Sequence, residues 1–175
     1  MRVILRKSWV LVLLLLVSAQ FAWGQSADED DIKAIQNTEF TTMDGEKVSI
    51  DDYEGKLLLL DFWETWCSPC LKSFKYMQKA RSNYPDHFAV LAINPGLADE
   101  PKDIQKFLNK NDYDFTFVRD PEKLYKTLGV RSLPYKIFLD PEGNYIETSI
   151  GSLPDDYQHI EDLLEKHTDA EIETQ

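Results

Sequence analysis

Cys67 and Cys70 are the two cysteines of this 175-residue chain, and two residues separate them. Cysteines at that spacing close a small disulfide ring when the backbone turns tightly between them, and a helix N-terminus supplies such a turn. Trp66-Cys67-Ser68-Pro69-Cys70 follows the apolar run Leu57–Phe62 and opens a helix-compatible stretch. Free N–H groups and the positive end of the helix dipole would then face Cys67 and favour thiolate over thiol. Pro69 suits a first helical turn, where its missing N–H is no loss. Cys70, a turn further in, is expected to be more buried and more protonated. The chemistry this spacing suggests is a two-step exchange: Cys67 attacks a sulfur, and Cys70 resolves the mixed disulfide.

Two other uses of such a pair have less behind them. A tetrahedral zinc site needs four ligands. His87 precedes an expected strand, while His159 and His167 fall on an expected last helix, so no metal-ligand spacing recurs. A purely structural disulfide would close a tiny loop, where the gain in chain entropy is smallest. The sequence therefore calls for no metal and no cofactor.

The first 24 residues stand apart from the rest. Arg2, Arg6 and Lys7 precede the apolar run 9–17, and Ala22-Trp23-Gly24 places small residues where a signal peptidase reads. This is the pattern of a secretory signal peptide over 1–24, with an uncleaved membrane anchor as the alternative. Loss of those three cations takes the 19 basic residues to 16 against 31 acidic ones, and the formal charge from −12 to −15. Such a charge argues against nucleic acid and anionic membranes as partners. Export, to a periplasm-like compartment, would also remove the dithiol from the cytosolic reductants, so it would need its own electron donor or acceptor.

Residues 25–36 read as a flexible acidic leader, 37–168 as one domain and 169–175 as an acidic tail. Phe40–Ile50 carries Asp44-Gly45 between short extended runs, a hairpin signal. The runs 57–62 and 88–93 read as buried strands. Leu71, Phe74, Met77, Ala80 and Tyr84 recur at helical spacing, and Pro101 opens a second helix with Ile104, Phe107 and Leu108 inward. Residues 116–118 are extended, and 121–128 form a short helix stopped by Gly129. The runs 135–139 and 145–150 alternate around Asp140-Pro141-Glu142-Gly143-Asn144 as a hairpin, and 155–167 forms an amphipathic helix. The expected fold class is α/β: a mixed central sheet, with an N-terminal β-hairpin and helices on both faces.

From about Phe40 to Leu164 the chain resembles the thioredoxin superfamily, and within it the exported TlpA/ResA-like thiol-disulfide oxidoreductases. The segments that carry the resemblance run from Leu57 through Asp61-Phe62-Trp63-Glu64-Thr65-Trp66 to Cys70, and from Gly129 through Leu133-Pro134 to Gly143. The resemblance implies a thioredoxin-like fold in which Pro134 is cis and faces the dithiol. Leu133 would then offer its backbone to a substrate chain as an added strand. It also implies that Asp61, six positions before Cys67, exchanges protons with the resolving cysteine. A carboxyl taken out of water can do so because its pKa rises; the plainer reading is an aspartate capping a turn. Trp63 and Trp66 would flank the dithiol, or simply pack.

Some positions depart from the family. Ser73 stands where many members carry glutamate, Lys75 where many carry proline, and Tyr135 where threonine is usual. The strand 88–93 has no lysine to partner Asp61. The expected activity is thiol-disulfide exchange with client proteins that carry cysteines or disulfides, in the reducing direction that the resemblance implies. Cytochrome c maturation or repair of client disulfides are the examples. A monomer is expected, with an electron donor or acceptor that the sequence does not identify, a membrane-bound one included. The alternatives are a non-catalytic redox or binding module and, less well supported, a metal-handling protein.

Overall fold

The computed structural model describes residues 29–120, 123–153 and 155–169. The expected signal peptide lies outside the described residues, as do all but Asp169 of the acidic tail. One seven-stranded sheet organises the rest, in the order β2-β1-β5-β4-β3-β6-β7. Its strands are β1 (Phe40–Thr42), β2 (Lys47–Val48), β3 (Leu57–Phe62), β4 (Phe88–Asn94), β5 (Thr116–Arg119), β6 (Tyr135–Leu139) and β7 (Tyr145–Ile150). β3, β4 and β5 run parallel, while β1, β6 and β7 join antiparallel to their neighbours. The mixed sheet expected from the sequence is therefore present, with the hairpin β1–β2 at one edge.

β3 and β4 lie between other strands and are buried at every position. That is why both read as unbroken apolar runs without alternation. Side chains of successive strand residues still point to opposite faces, and this sorts β3 between two cores. Leu57, Leu59 and Trp63 pack with α2 (Ser68–Asn83), α3 (Pro101–Leu108) and α5 (Asp156–His167). Leu58, Leu60 and Phe62 pack with α1 (Glu29–Gln36) and α4 (Leu124–Thr127) on the other face.

The flexible leader expected over 25–36 is corrected in its described part. Residues 29–36 form α1, whose Ile35 is fully buried. Three acids in its first turn favour the helix dipole. Ile32 and Ala34 add partial burial against the same core. The helix thus belongs to the domain, although its composition is that of a solvated tail.

Candidate functional site

The site begins with the end of β3 and the turn into α2. Cys67 caps the N-terminus of α2 and Pro69 lies in its first turn. Cys67 and Cys70 are joined in a disulfide, with Cα atoms 5.3 Å apart. The Cys70 N–H donates to Cys67 Sγ at 3.3 Å, and the Leu71 N–H to the Cys67 carbonyl at 3.1 Å. The first sulfur therefore receives a hydrogen bond from the helix end. Cys67 keeps 3 % of its surface exposed and Cys70 none, the order that attacking and resolving roles require.

Alternation along β3 turns Asp61 to the same face as Leu59 and Trp63, the face on which Cys70 and Phe74 pack. Asp61 is fully buried, and neither carboxyl oxygen has a hydrogen-bond partner among the described residues. Burial raises its pKa to about 8; Lys136 pulls it down, and Asp156 pushes it up. The carboxyl is thus a buried acid without partners and not the cap of a turn.

Leu133–Pro134 is a cis peptide bond. The β3–β6 register pairs Phe62 with Tyr135, which brings Pro134 level with Trp63, four residues before Cys67. The Gly151 N–H holds the Pro134 carbonyl at 2.8 Å. Leu133 is half-buried and packs against both cores. Tyr135 turns away from this side: its ring meets Phe62 edge-on at 6.2 Å, across the sheet from α2.

The two tryptophans part company. Trp63 is fully buried among Phe74, Phe107 and Phe117, with ring centroids 5.0, 4.9 and 5.5 Å away. It supports the site from below. Trp66 is 60 % exposed beside Cys67. Its indole N–H donates to Glu64 Oε2 at 2.6 Å.

Sequence reasoning missed Glu64, Asp99, Lys136 and Asp156. Glu64 is fully buried and also accepts the N–H groups of Leu97, Ala98 (3.0 Å) and Asp99 (3.2 Å). Asp99 answers by accepting the Thr65 N–H at 2.6 Å, the Thr65 hydroxyl at 2.7 Å and the Asn94 amide at 2.8 Å. The two carboxylates clasp the loop after β4 to the active-site turn. Lys136 comes from β6, where it is the register partner of Asp61, so the lysine missing from β4 is supplied by the other neighbouring strand. Its Nζ lies 2.8 Å from Asp156 Oδ1, and Ser73 donates to Asp156 Oδ2 at 2.7 Å. A carboxylate thus returns beside Ser73, from α5. Lys136 was detectable as the residue in phase with inward-facing Phe138, and Asp156 as the one in phase with Ile160, Leu163 and Leu164.

Comparison with known proteins follows the same outline. The AhpC/TSA family profile matches residues 32–147. The chain is 30 % identical over 167 residues to the thiol-disulfide oxidoreductase ResA of Bacillus thuringiensis (strain Al Hakam), covering 91 % of this chain and 94 % of that protein. It is 32 % identical over 131 residues to the thioredoxin-like protein YneN of Bacillus subtilis (strain 168), covering 74 % and 72 %. Among solved structures, the protein assigned as the thiol:disulfide interchange protein DsbE of Chlorobium tepidum superposes with a TM-score of 0.66 at 28 % identity. That match covers 74 % of this chain and 92 % of the other.

Proposed function

Because this chain belongs to the AhpC/TSA family, as a thiol-disulfide oxidoreductase of the ResA/DsbE type, we propose that it is exported and reduces disulfides in client proteins. The observation that carries the reading is the Cys67–Cys70 disulfide at the start of α2, on the sheet face to which Asp61 also turns, with no hydrogen-bond partner for that carboxyl among the described residues. In the reduced enzyme the Cys67 thiolate attacks one sulfur of a client disulfide. A Cys67–client bond forms, and the client's other sulfur leaves with the bonding pair and takes a proton. Asp61 accepts the proton of Cys70, whose thiolate then attacks Cys67 Sγ. The enzyme disulfide forms, and the second client sulfur departs reduced. Two electrons pass to the client, and an external dithiol donor must return them.

Leu133 and Pro134 supply the backbone edge where an extended client segment pairs, and Trp66 the apolar wall beside the attacked sulfur.

The reduction potential of the pair tests the direction. A value near or below about −270 mV supports a reductant, and one near about −120 mV overturns it in favour of an oxidant. Cys70→Ala is expected to accumulate mixed disulfides through Cys67. If none forms while Cys67→Ala retains client reduction, the mechanism is wrong.

A further inference from the structure

Asp61 and Lys136 oppose each other across β3 and β6 and point to the same face, within the core shared by Leu59, Trp63 and Phe138. Side chains so placed have Cβ atoms roughly 5 Å apart, within easy reach of a lysine stem. A buried ammonium needs an anion, and Asp61 is the nearest candidate on the sheet. Yet the Lys136 ammonium donates to Asp156 Oδ1 at 2.8 Å and to the Gly151 carbonyl at 3.1 Å, while neither Asp61 oxygen has a hydrogen bond among the described residues.

Asp156 is built to hold that cation. It is 3 % exposed in the first turn of α5. Its Oδ2 accepts from Ser73 at 2.7 Å and from Ser152 at 3.3 Å, and its Oδ1 accepts the Leu153 N–H at 3.2 Å. Gly151, which accepts the second bond from the ammonium, has φ +86°, a conformation that suits glycine.

We propose that Asp156 is a positioning residue for the dithiol chemistry: it draws the Lys136 ammonium away from Asp61 and so leaves the Asp61 carboxyl free to exchange a proton with Cys70. This rests on the proton-acceptor role given to Asp61 above. Efficient transfer between a carboxyl and a thiol requires similar proton affinities. A free thiol loses its proton near pH ~8.5, and burial with limited help from Lys136 brings Asp61 to about 8. A direct Asp61–Lys136 pair would return Asp61 toward an ordinary carboxylate and make the transfer uphill. The charged groups that act on Asp61 are Lys136 from β6 and Asp156 from α5, and Cys70 from α2 packs in the core on the same sheet face; its register partner on β4 is Ala92. His159 on α5 pairs with Glu147 beyond Phe138.

The test is the titration of the Asp61 carboxyl carbon, followed by NMR in the full chain. Asp156→Asn is expected to lower the Asp61 midpoint by at least about one pH unit, a tenfold change in proton affinity. Asp156→Glu should leave it near the wild-type value, and Lys136→Met should raise it. An unmoved or raised midpoint in folded Asp156→Asn overturns the proposal. A second measurement needs no variant. At pH 9, with Asp61 ionised, the Lys136 ammonium should show hydrogen-bond coupling to the Asp156 carboxyl carbon. Coupling to Asp61 instead overturns the proposal even if Asp156→Asn fails to fold. Asp61→Asn separates this from the reading it rests on. If that variant resolves mixed disulfides at the wild-type rate, Asp61 is not the acceptor, whereas the effect of Asp156 on its titration is measured independently.

Discussion

Asp61 and Glu64 are three residues apart and equally buried, and the fold treats them in opposite ways. Glu64 collects four donors: the Trp66 indole and three consecutive backbone N–H groups from the loop after β4. Asp61 collects none among the described residues. A carboxylate with a full set of donors is a fastener, since its charge is answered where it stands. A carboxyl without donors is costly to ionise, and that cost makes it useful for moving a proton. Burial alone therefore does not mark a catalytic acid; the donors around it do.

Removing the fastener should have the largest effect. Glu64→Ala leaves three backbone N–H groups and an indole without their acceptor. Its expected cost is about 4 kcal/mol, since each buried orphan costs roughly 1–3 kcal/mol and water will enter to offset part. Urea unfolding checks this, and a cost below about 1 kcal/mol would show that the loop re-forms its bonds elsewhere.

Asp61→Asn should act in the opposite direction. The unfolded chain loses this proton near pH 3.8, and the folded protein keeps it up to about 8. Between those values the folded state binds the extra proton, so stability falls as pH rises through the window, and the loss is complete above it. The variant is therefore expected to be more stable than wild type by on the order of 3 kcal/mol at pH 8, and by little at pH 4. Paired urea unfolding curves at the two pH values measure this. An equal effect at both would mean that Asp61 ionises as easily as any surface acid.

Smaller effects sharpen the contrast. Asp99→Ala removes the acceptor of three hydrogen bonds but leaves Glu64 in place, and a loss of about 2 kcal/mol is expected. Trp66→Ala removes an exposed ring and should change stability by less than about 0.5 kcal/mol. It should still slow reaction with a client disulfide, read as the second-order rate of mixed-disulfide formation. Unchanged rates would remove Trp66 from the client surface.

The sequence disclosed unevenly what the fold assembles. The strand 57–62, the turn into α2 and the cysteine pair were legible because their signals are local: an apolar run, a first-turn proline and a two-residue spacing. α1 was not, because one fully buried isoleucine and two partly buried apolar neighbours anchor a mostly acidic and polar octapeptide. The backbone partners of Glu64 lie 33 to 35 residues away, and the partners of Asp156 up to 83. Such pairings depend on which strand follows which in the sheet and where α5 lands. Lys136 shows the limit well. Its phase with Phe138 marks an inward position, but only the antiparallel register sets it opposite Asp61.

The separation of the two tryptophans also gives the molecule an optical signature. Of the four tryptophans, Trp9 and Trp23 fall within residues 1–24, which leaves Trp63 and Trp66 in the rest of the chain. Trp63 shares a packed cluster with both sulfurs, while Trp66 faces solvent next to Cys67. Disulfides quench indole fluorescence at short range. In a chain that lacks residues 1–24, opening the disulfide should brighten the blue-shifted emission of the enclosed ring more than the red-shifted emission of the exposed one, so the protein reports its own oxidation state without a label.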